Sequence, residues 1–159
     1  MHTTLNKIRA YSPCQSGWKK LLKHLGKTKA DDEPLQFLTI LESNGLDDAL
    51  WCLRSTPEYD RHSRLFAVWC ARQAQHLLTD SDSFMALDYA EAHAYGFATD
   101  DELTAAYAAA YAAAGAAAWA AAAPAADAAR DAARDAQSKR FAKMCLAGGW
   151  VGPTQPEEA

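Results

Sequence analysis

Residues 105–136 read AAYAAAYAAAGAAAWAAAAPAADAARDAARDA, so that about two residues in three are alanine. Alanine has the highest intrinsic helix propensity, because its side chain loses no rotamer entropy on folding. It also carries no donor, acceptor or charge with which to do chemistry. The stretch therefore predicts a long helix that serves as scaffold or contact surface. Pro124 is expected to kink this helix, because proline removes one backbone hydrogen bond and clashes with the preceding turn.

The rest of the chain is also predicted to be helical. Apolar residues recur at helical spacing between residues that cap or break helices, and no segment shows the alternation typical of strands. We predict an all-α fold, a compact helical bundle of about six to seven helices with a long alanine-rich C-terminal helix kinked at Pro124. The predicted helices run from about Thr4 to Ala10, Gln15 to Gly26, Pro34 to Asn44, Asp47 to Leu53, Thr56 to Leu78, Asp82 to Gly96, and Thr99 to Leu146.

The large apolar side chains indicate where the core lies. Leu, Phe, Trp and Tyr are found mostly between Leu5 and Leu103, so a compact core is predicted there. We predict a compact helical core over residues 1–98 and a long alanine-rich helix pair over residues 99–147, packed on the core or projecting from it. Residues 148–159 contain two prolines and two glutamates and are predicted to be a disordered tail.

Charge is segregated along the chain, although the net charge is only −4. Residues 1–30 hold seven Lys or Arg and no acid, whereas residues 31–60 hold eight acids and one arginine. Such segments either pack against each other or leave the basic one to face an anionic partner.

The cysteines and the apolar runs indicate the cellular compartment. Cysteines 14, 52, 70 and 145 form no CxxC pair, and three of them lie inside apolar helical patterns. This usage predicts reduced, buried thiols in a cytoplasmic protein rather than a disulfide framework. The chain shows no apolar signal core, and the alanine tract is too weakly hydrophobic and too interrupted by Asp and Arg to predict a membrane span.

The alanine helix carries a stripe of larger residues at four-residue spacing. The stripe has two possible interpretations, and its aromatic members are Tyr107, Tyr111 and Trp119. The stripe packs on the protein's own core, as in other amphipathic helices, or it anchors a partner or a second copy of the chain. Beyond Pro124, Asp127–Arg130 and Asp131–Arg134 have i, i+3 spacing and predict a solvated face of local ion pairs.

Two sets of basic residues are candidate binding sites. Lys19, Lys23 and Lys27 recur every four residues, which suits phosphate binding or an ordinary exposed helix face. A second set follows one side of the Thr56–Leu78 helix. These arginines hold the carboxylate or phosphate of a ligand, or they pair with the acidic segment 42–60 or with Asp88 and Glu91. The second set consists of Arg61, Arg64 and Arg72, with Arg54 nearby.

Catalytic patterns are weak throughout. The histidines lack zinc-ligand spacing, no nucleophile elbow or glycine-rich phosphate loop is present, and Asp88 with Glu91 is a weak acid/base pair. We therefore predict no enzyme, no catalytic residue, no metal site and no cofactor.

Two segments carry a resemblance to a known group. Residues 64–76, RLFAVWCARQAQH, and residues 86–106, ALDYAEAHAYGFATDDELTAA, precede the alanine tract. Their LFA-x-x-CAR and AE-x-x-A-x-G-x-AT-x-x-EL patterns occur in this order in alanine-rich helical proteins of bacteria and phages that are labelled immunity proteins. The resemblance covers about residues 46–135. It implies a cytoplasmic, non-enzymatic protein in the host bacterium that neutralises something by binding it, and it supplies no catalytic residues.

The sequence thus supports three hypotheses of different classes. The first is a phage- or prophage-type protein that inhibits a bacterial nuclease, toxin or defence complex by stoichiometric binding, as in toxin immunity or anti-CRISPR counter-defence. The second is a module that binds nucleic acid or nucleotides through the N-terminal basic stripe. The third is a structural helper whose alanine helix drives homo-oligomerisation.

Overall fold

The computed structural model describes residues 1–73, 75, 81–104 and 126–152. These residues are mostly helical with one two-stranded sheet, and the predicted all-α fold is confirmed. The chain divides into two compact units, a first unit of Met1–Asp60 with Arg134–Ala159 and a second unit of Arg61–Ala133. The predicted boundaries, with a core over 1–98, a helix pair over 99–147 and a tail over 148–159, stay a prediction.

The first unit begins with short elements. Its sheet pairs two antiparallel strands, with Thr3 opposite Leu35. The prediction that no strand exists, with a helix beginning at Pro34, was wrong, because two-residue strands are too short to show alternation. The elements are β1 (His2–Thr3), α1 (Leu5–Ala10), α2 (Gln15–His24), β2 (Leu35–Gln36), α3 (Phe37–Asn44), α4 (Leu46–Cys52) and the 3₁₀ turns Leu53–Ser55 and Pro57–Tyr59.

The core of the first unit is assembled from both ends of the chain. Phe37 and Ile40 of α3 are completely buried, and so are Phe141 and Met144 of the last described helix. The Phe37 and Phe141 rings pack edge to face with centroids 6.5 Å apart. The Met1 nitrogen donates to the Cys145 carbonyl oxygen at 3.0 Å. The predicted core, which ended at Leu103, therefore lacked the aromatic residue that the C-terminal helix supplies.

The last helix, α7 (Ala126–Ala147), ends close to the predicted position. Gly148 follows with φ of 78°, the left-handed conformation that glycine adopts most readily after a helix. Part of the predicted tail is described beyond it: Gly149 is buried, and the Arg140 guanidinium lies 4.6 Å from the Trp150 ring centroid. Within the first unit, Arg134 of α7 pairs with Asp47 of α4, whereas its spacing in the sequence suggested Asp131 as its partner.

The second unit contains α5 (Asp60–Gln73) and α6 (Ser81–Tyr95). Side chains of α5 at residues 61, 64 and 72 contact α6 at residues 95, 93 and 88, so the two helices run antiparallel. The predicted capping box is confirmed: the Thr99 N–H donates to Glu102 at 2.8 Å, and the Glu102 N–H donates to Thr99 Oγ1 at 3.2 Å. Residues 100–104 are helical after it.

Several predictions concern residues outside the described part of the chain. They include the kink at Pro124 and the aromatic stripe of Tyr107, Tyr111 and Trp119, which stay predictions. Leu77, at the end of the predicted Thr56–Leu78 helix, also lies outside. Within the described residues, no helix has both the length and the apolar character needed to cross a bilayer.

Candidate functional site

The first unit contains a small pocket walled by two tryptophans. Its volume is about 120 Å³, which is less than drug-sized ligands occupy. The indoles of Trp18 and Trp51 are half-buried, while Leu21 and Ile40 close the apolar interior. The complete lining is Ile8, Pro13, Cys14, Gly17, Trp18, Leu21, Ile40, Asn44, Asp48, Trp51 and Cys52.

A single carboxylate lies in this otherwise largely apolar lining. Asp48 Oδ2 accepts a hydrogen bond from Asn44 Nδ2 at 2.7 Å, and the same amide donates to the Gly17 carbonyl at 2.9 Å. A Cβ atom built on Gly17 would lie 2.7 Å from Asp48 Oδ2. Glycine at this position therefore lets the carboxylate approach the first turn of α2. Among the described residues, no cationic side chain forms an ion pair with Asp48.

Cys14 lies at the mouth of the pocket and caps α2. Hydrogen bonds from the Ser16 hydroxyl and the Gly17 N–H lower the pKa of its exposed thiol. The prediction of buried thiols was therefore wrong for Cys14. It was right for Cys52 and Cys145, where burial raises the pKa to about 12 and about 11. Burial also raises the pKa of the half-buried Cys70.

The predicted basic stripe is only partly available on the surface. Lys19 and Lys23 are exposed on α2, as is their neighbour Lys20. Lys27 instead pairs with Asp31 and Glu33 at 2.6 Å each, and the hydrogen bonds that Lys27 donates to these carboxylates raise its pKa. Lys27 is therefore held by the acidic segment, and the stripe is reduced to one face of α2.

The predicted arginine cluster does not converge on one point. Arg72 donates to Asp88 at 2.6 Å and to Glu91 at 2.9 Å, which is the alternative that the sequence left open. Arg61 stacks on Tyr95 within the second unit, and Arg54 of the first unit stacks on Trp51 at 4.7 Å. Because Asp88 and Glu91 share one cation, the weak acid/base pair acts as a structural link.

Arg64 belongs to a short polar chain that the sequence did not reveal. Its guanidinium lies 2.8 Å from His93 Nδ1, and His93 Nε2 lies 2.6 Å from Asp100 Oδ1. An arginine donates only, so His93 Nδ1 accepts and the Nε2–H donates to Asp100. These residues are 29 and 7 positions apart in the chain, and α6 ends between His93 and Asp100, so no spacing rule within one helix pairs them.

Exposed apolar side chains form a second candidate surface, in the second unit. Met85 and Tyr89 are one helical turn apart on α6 and are 49% and 40% exposed, and Phe97 just beyond α6 is 66% exposed. Large exposed apolar groups close together, as Met85 and Tyr89 are on α6, mark interaction surfaces more often than isolated ones do. This surface was not predicted from the sequence, because alanines at 86, 90 and 94 occupy the buried face of α6 and leave no large apolar stripe there.

The pocket was not predicted from the sequence either, although Gly17 is a signal of it. Glycine inside a helical pattern costs about 1 kcal/mol relative to alanine, so it often marks a close approach of another group.

No three His, Cys, Asp or Glu side chains come together as a metal site within the part of the chain that the structure describes. Comparison with models of protein families, with curated proteins and with solved structures gave no match.

Proposed function

We propose that this chain is a non-enzymatic binding protein of phage or prophage type. It inhibits a bacterial nuclease, toxin or defence complex by stoichiometric protein–protein interaction, in the manner of toxin immunity or of an anti-CRISPR protein. The resemblance of residues 64–76 and 86–106 points to this class, and the bacterial cytoplasm is the compartment that it implies.

The observation that carries the proposal is the apolar surface of the second unit. Met85, Tyr89 and Phe97 expose large side chains within 13 residues of each other, and methionine and aromatic residues are enriched in protein interfaces. Asp88 and Glu91, which neighbour Tyr89 in the chain, are both engaged by Arg72. Such a surface suits burial against a protein better than binding of a small polar substrate.

Affinity capture tests this proposal directly. The tagged protein is incubated with nuclease-treated bacterial lysate, and the captured proteins are identified and quantified by mass spectrometry. We expect one partner at near-equal stoichiometry, and we expect Met85→Glu or Phe97→Asp to reduce its amount at least about tenfold, since a buried charge without a partner is costly.

The matched control is Leu146→Asp, which changes a more exposed apolar residue of the first unit. It should leave capture unchanged. Absence of any stoichiometric partner, or full capture by both second-unit variants, contradicts the proposal. A functional test complements it: in a host edited to lack the captured target, expression of the protein should cause no phenotype.

The second candidate function is binding of nucleic acid by the N-terminal basic face. The supporting observation is that Lys19, Lys20 and Lys23 are exposed on α2 and make no ion pair with a described residue. Three phosphate contacts predict that log K falls with log salt with a slope of about −3. Lack of retention on DNA and RNA at low salt rejects this candidate, and Lys23→Gln should reduce the slope by about one.

A further inference from the structure

The tryptophan pocket of the first unit has the size of a single side chain. Its volume of about 120 Å³ is close to the roughly 150 Å³ of an apolar cavity that accommodates one benzene ring. Most cofactors and metabolites need about 300 Å³ or more. The size therefore favours one anchoring group of a larger partner over a free small molecule.

The lining specifies the chemistry of that group. The indoles of Trp18 and Trp51 provide flat apolar walls, while Asp48 adds one negative charge that Asn44 holds in place. The lining contains no lysine or arginine, and Arg54, which stacks on the Trp51 ring, is not a lining residue. A group with a flat cationic end and an apolar stem would match both features, since guanidinium groups stack on indoles and bind carboxylates in a bidentate manner.

We propose that this pocket receives one arginine side chain of the partner protein, with its guanidinium on Asp48 and its methylene stem against Trp18 and Trp51. This inference rests on the proposed function and assigns a chemistry to the partner. Arginine is also one of the residue types that carry most of the binding energy when they fill a pocket. Lysine is disfavoured because its ammonium group cannot stack in the same planar manner.

The chemistry of the pocket is tested with a fragment, n-butylguanidinium, on the full-length protein. The indole N–H signals of Trp18 and Trp51 are followed by NMR during the titration. A fragment of about eight non-hydrogen atoms should bind with a dissociation constant on the order of millimolar. n-Butylammonium and n-butanol, titrated in parallel, should bind more weakly than the guanidinium.

A matched pair of variants isolates the charge. Asp48→Asn keeps an oxygen that accepts from Asn44 and should weaken fragment binding about tenfold, because a charge-assisted hydrogen bond is lost. Glu42→Gln removes the same charge from an exposed residue of α3 outside the lining and should leave binding unchanged. Equal binding to wild-type protein and Asp48→Asn overturns the proposal, as does equal binding of n-butanol or n-butylammonium.

The same variants are then used in affinity capture, which separates this inference from the proposed function. Capture of the partner should fall about tenfold with Asp48→Asn and stay unchanged with Glu42→Gln. If both variants capture the partner fully, the proposed function stands and the arginine assignment is overturned. If wild-type protein captures no partner, the proposed function is overturned, and so is the assignment of a partner's arginine, which rests on it.

Discussion

The contacts inside the first unit differ in kind from the contacts inside the second. In the first unit, Phe37 and Phe141 pack in a fully buried apolar core, although 104 residues separate them in the chain. In the second unit, α5 buries Leu65, Phe66 and Val68, but the buried residues of α6 are alanines. Arg72 also links α5 to α6 through two carboxylates. Apolar burial contributes far more free energy than exposed ion pairs do, and salt screens only the latter. The units should therefore differ both in mutational sensitivity and in salt dependence.

The largest effect is expected from Phe141→Ala in the first unit. The side chain is completely buried against Phe37, so its removal leaves a cavity in addition to the lost transfer free energy. We expect the free energy of unfolding to fall by about 3–5 kcal/mol. Urea denaturation followed by circular dichroism measures it. Leu146→Ala, at a position 74% exposed on the same helix, should change stability by less than about 0.5 kcal/mol.

The importance of Phe141 also shows where sequence reasoning about the fold reached its limit. Helical periodicity and caps predicted the helices well, including the capping box at Thr99 and the end of the last helix near Gly148. These signals are local. The packing of Phe141 on Phe37 is not, and no spacing rule relates residues so far apart in the chain. The sheet escaped prediction for a related reason, since the pairing of Thr3 with Leu35 is also long-range.

The candidate sites show the same limit. The sequence identified basic residues by their spacing, but it could not tell that Lys27 is held by Glu33 or that Arg72 is held by Asp88. Both depend on which helix faces or loops meet in space. Predicting the pocket would have required the relative placement of four helices, because its walls come from α1 to α4. Gly17 was a local signal of the pocket, since a glycine inside a helix often marks a position where another group packs closely.

A double-mutant cycle at Gly17 tests whether the polar approach in the first unit constrains the helix. Gly17→Ala should by itself change stability little, because a helix-propensity gain of about 1 kcal/mol is offset when the new Cβ displaces Asp48 from Asn44. In an Asp48→Ala background the same change should stabilise by about 1 kcal/mol. Thermal denaturation of the four proteins gives the coupling. A coupling of zero would show that Asp48 does not restrict position 17.

A smaller effect is expected from Arg72→Met in the second unit. The Arg72 side chain is 26% exposed and its partners are more exposed, so solvent screens the pairs. We expect a loss of about 0.5–1 kcal/mol at low salt, which shrinks at high salt. Hydrogen exchange of the α6 amides reports on this unit. Arg54→Met in the first unit is the control, because Arg54 contacts an indole rather than a carboxylate. A salt-independent loss at Arg72 would contradict the comparison.

The smallest effect concerns the capping box of the second unit. Hydrogen bonds from the Thr99 N–H and hydroxyl lower the pKa of Glu102 below its ordinary value of 4.5. A carboxyl group with a lowered pKa stabilises the folded state above its unfolded pKa, and this contribution is lost as the pH falls through the folded pKa. The Thr99 amide signal should therefore titrate with a midpoint below 4.5 in NMR spectra.

Glu102→Gln should abolish this titration, because the amide keeps an acceptor oxygen but takes up no proton in this range. Asp101→Asn, a neighbouring exposed acid, should leave the Thr99 titration in place. A midpoint at or above 4.5 would mean that the Thr99 hydrogen bonds do not favour the charged carboxylate. A lowered midpoint would instead show that the helical turn at 100–104 is held by a local polar contact, unlike the apolar core around Phe141.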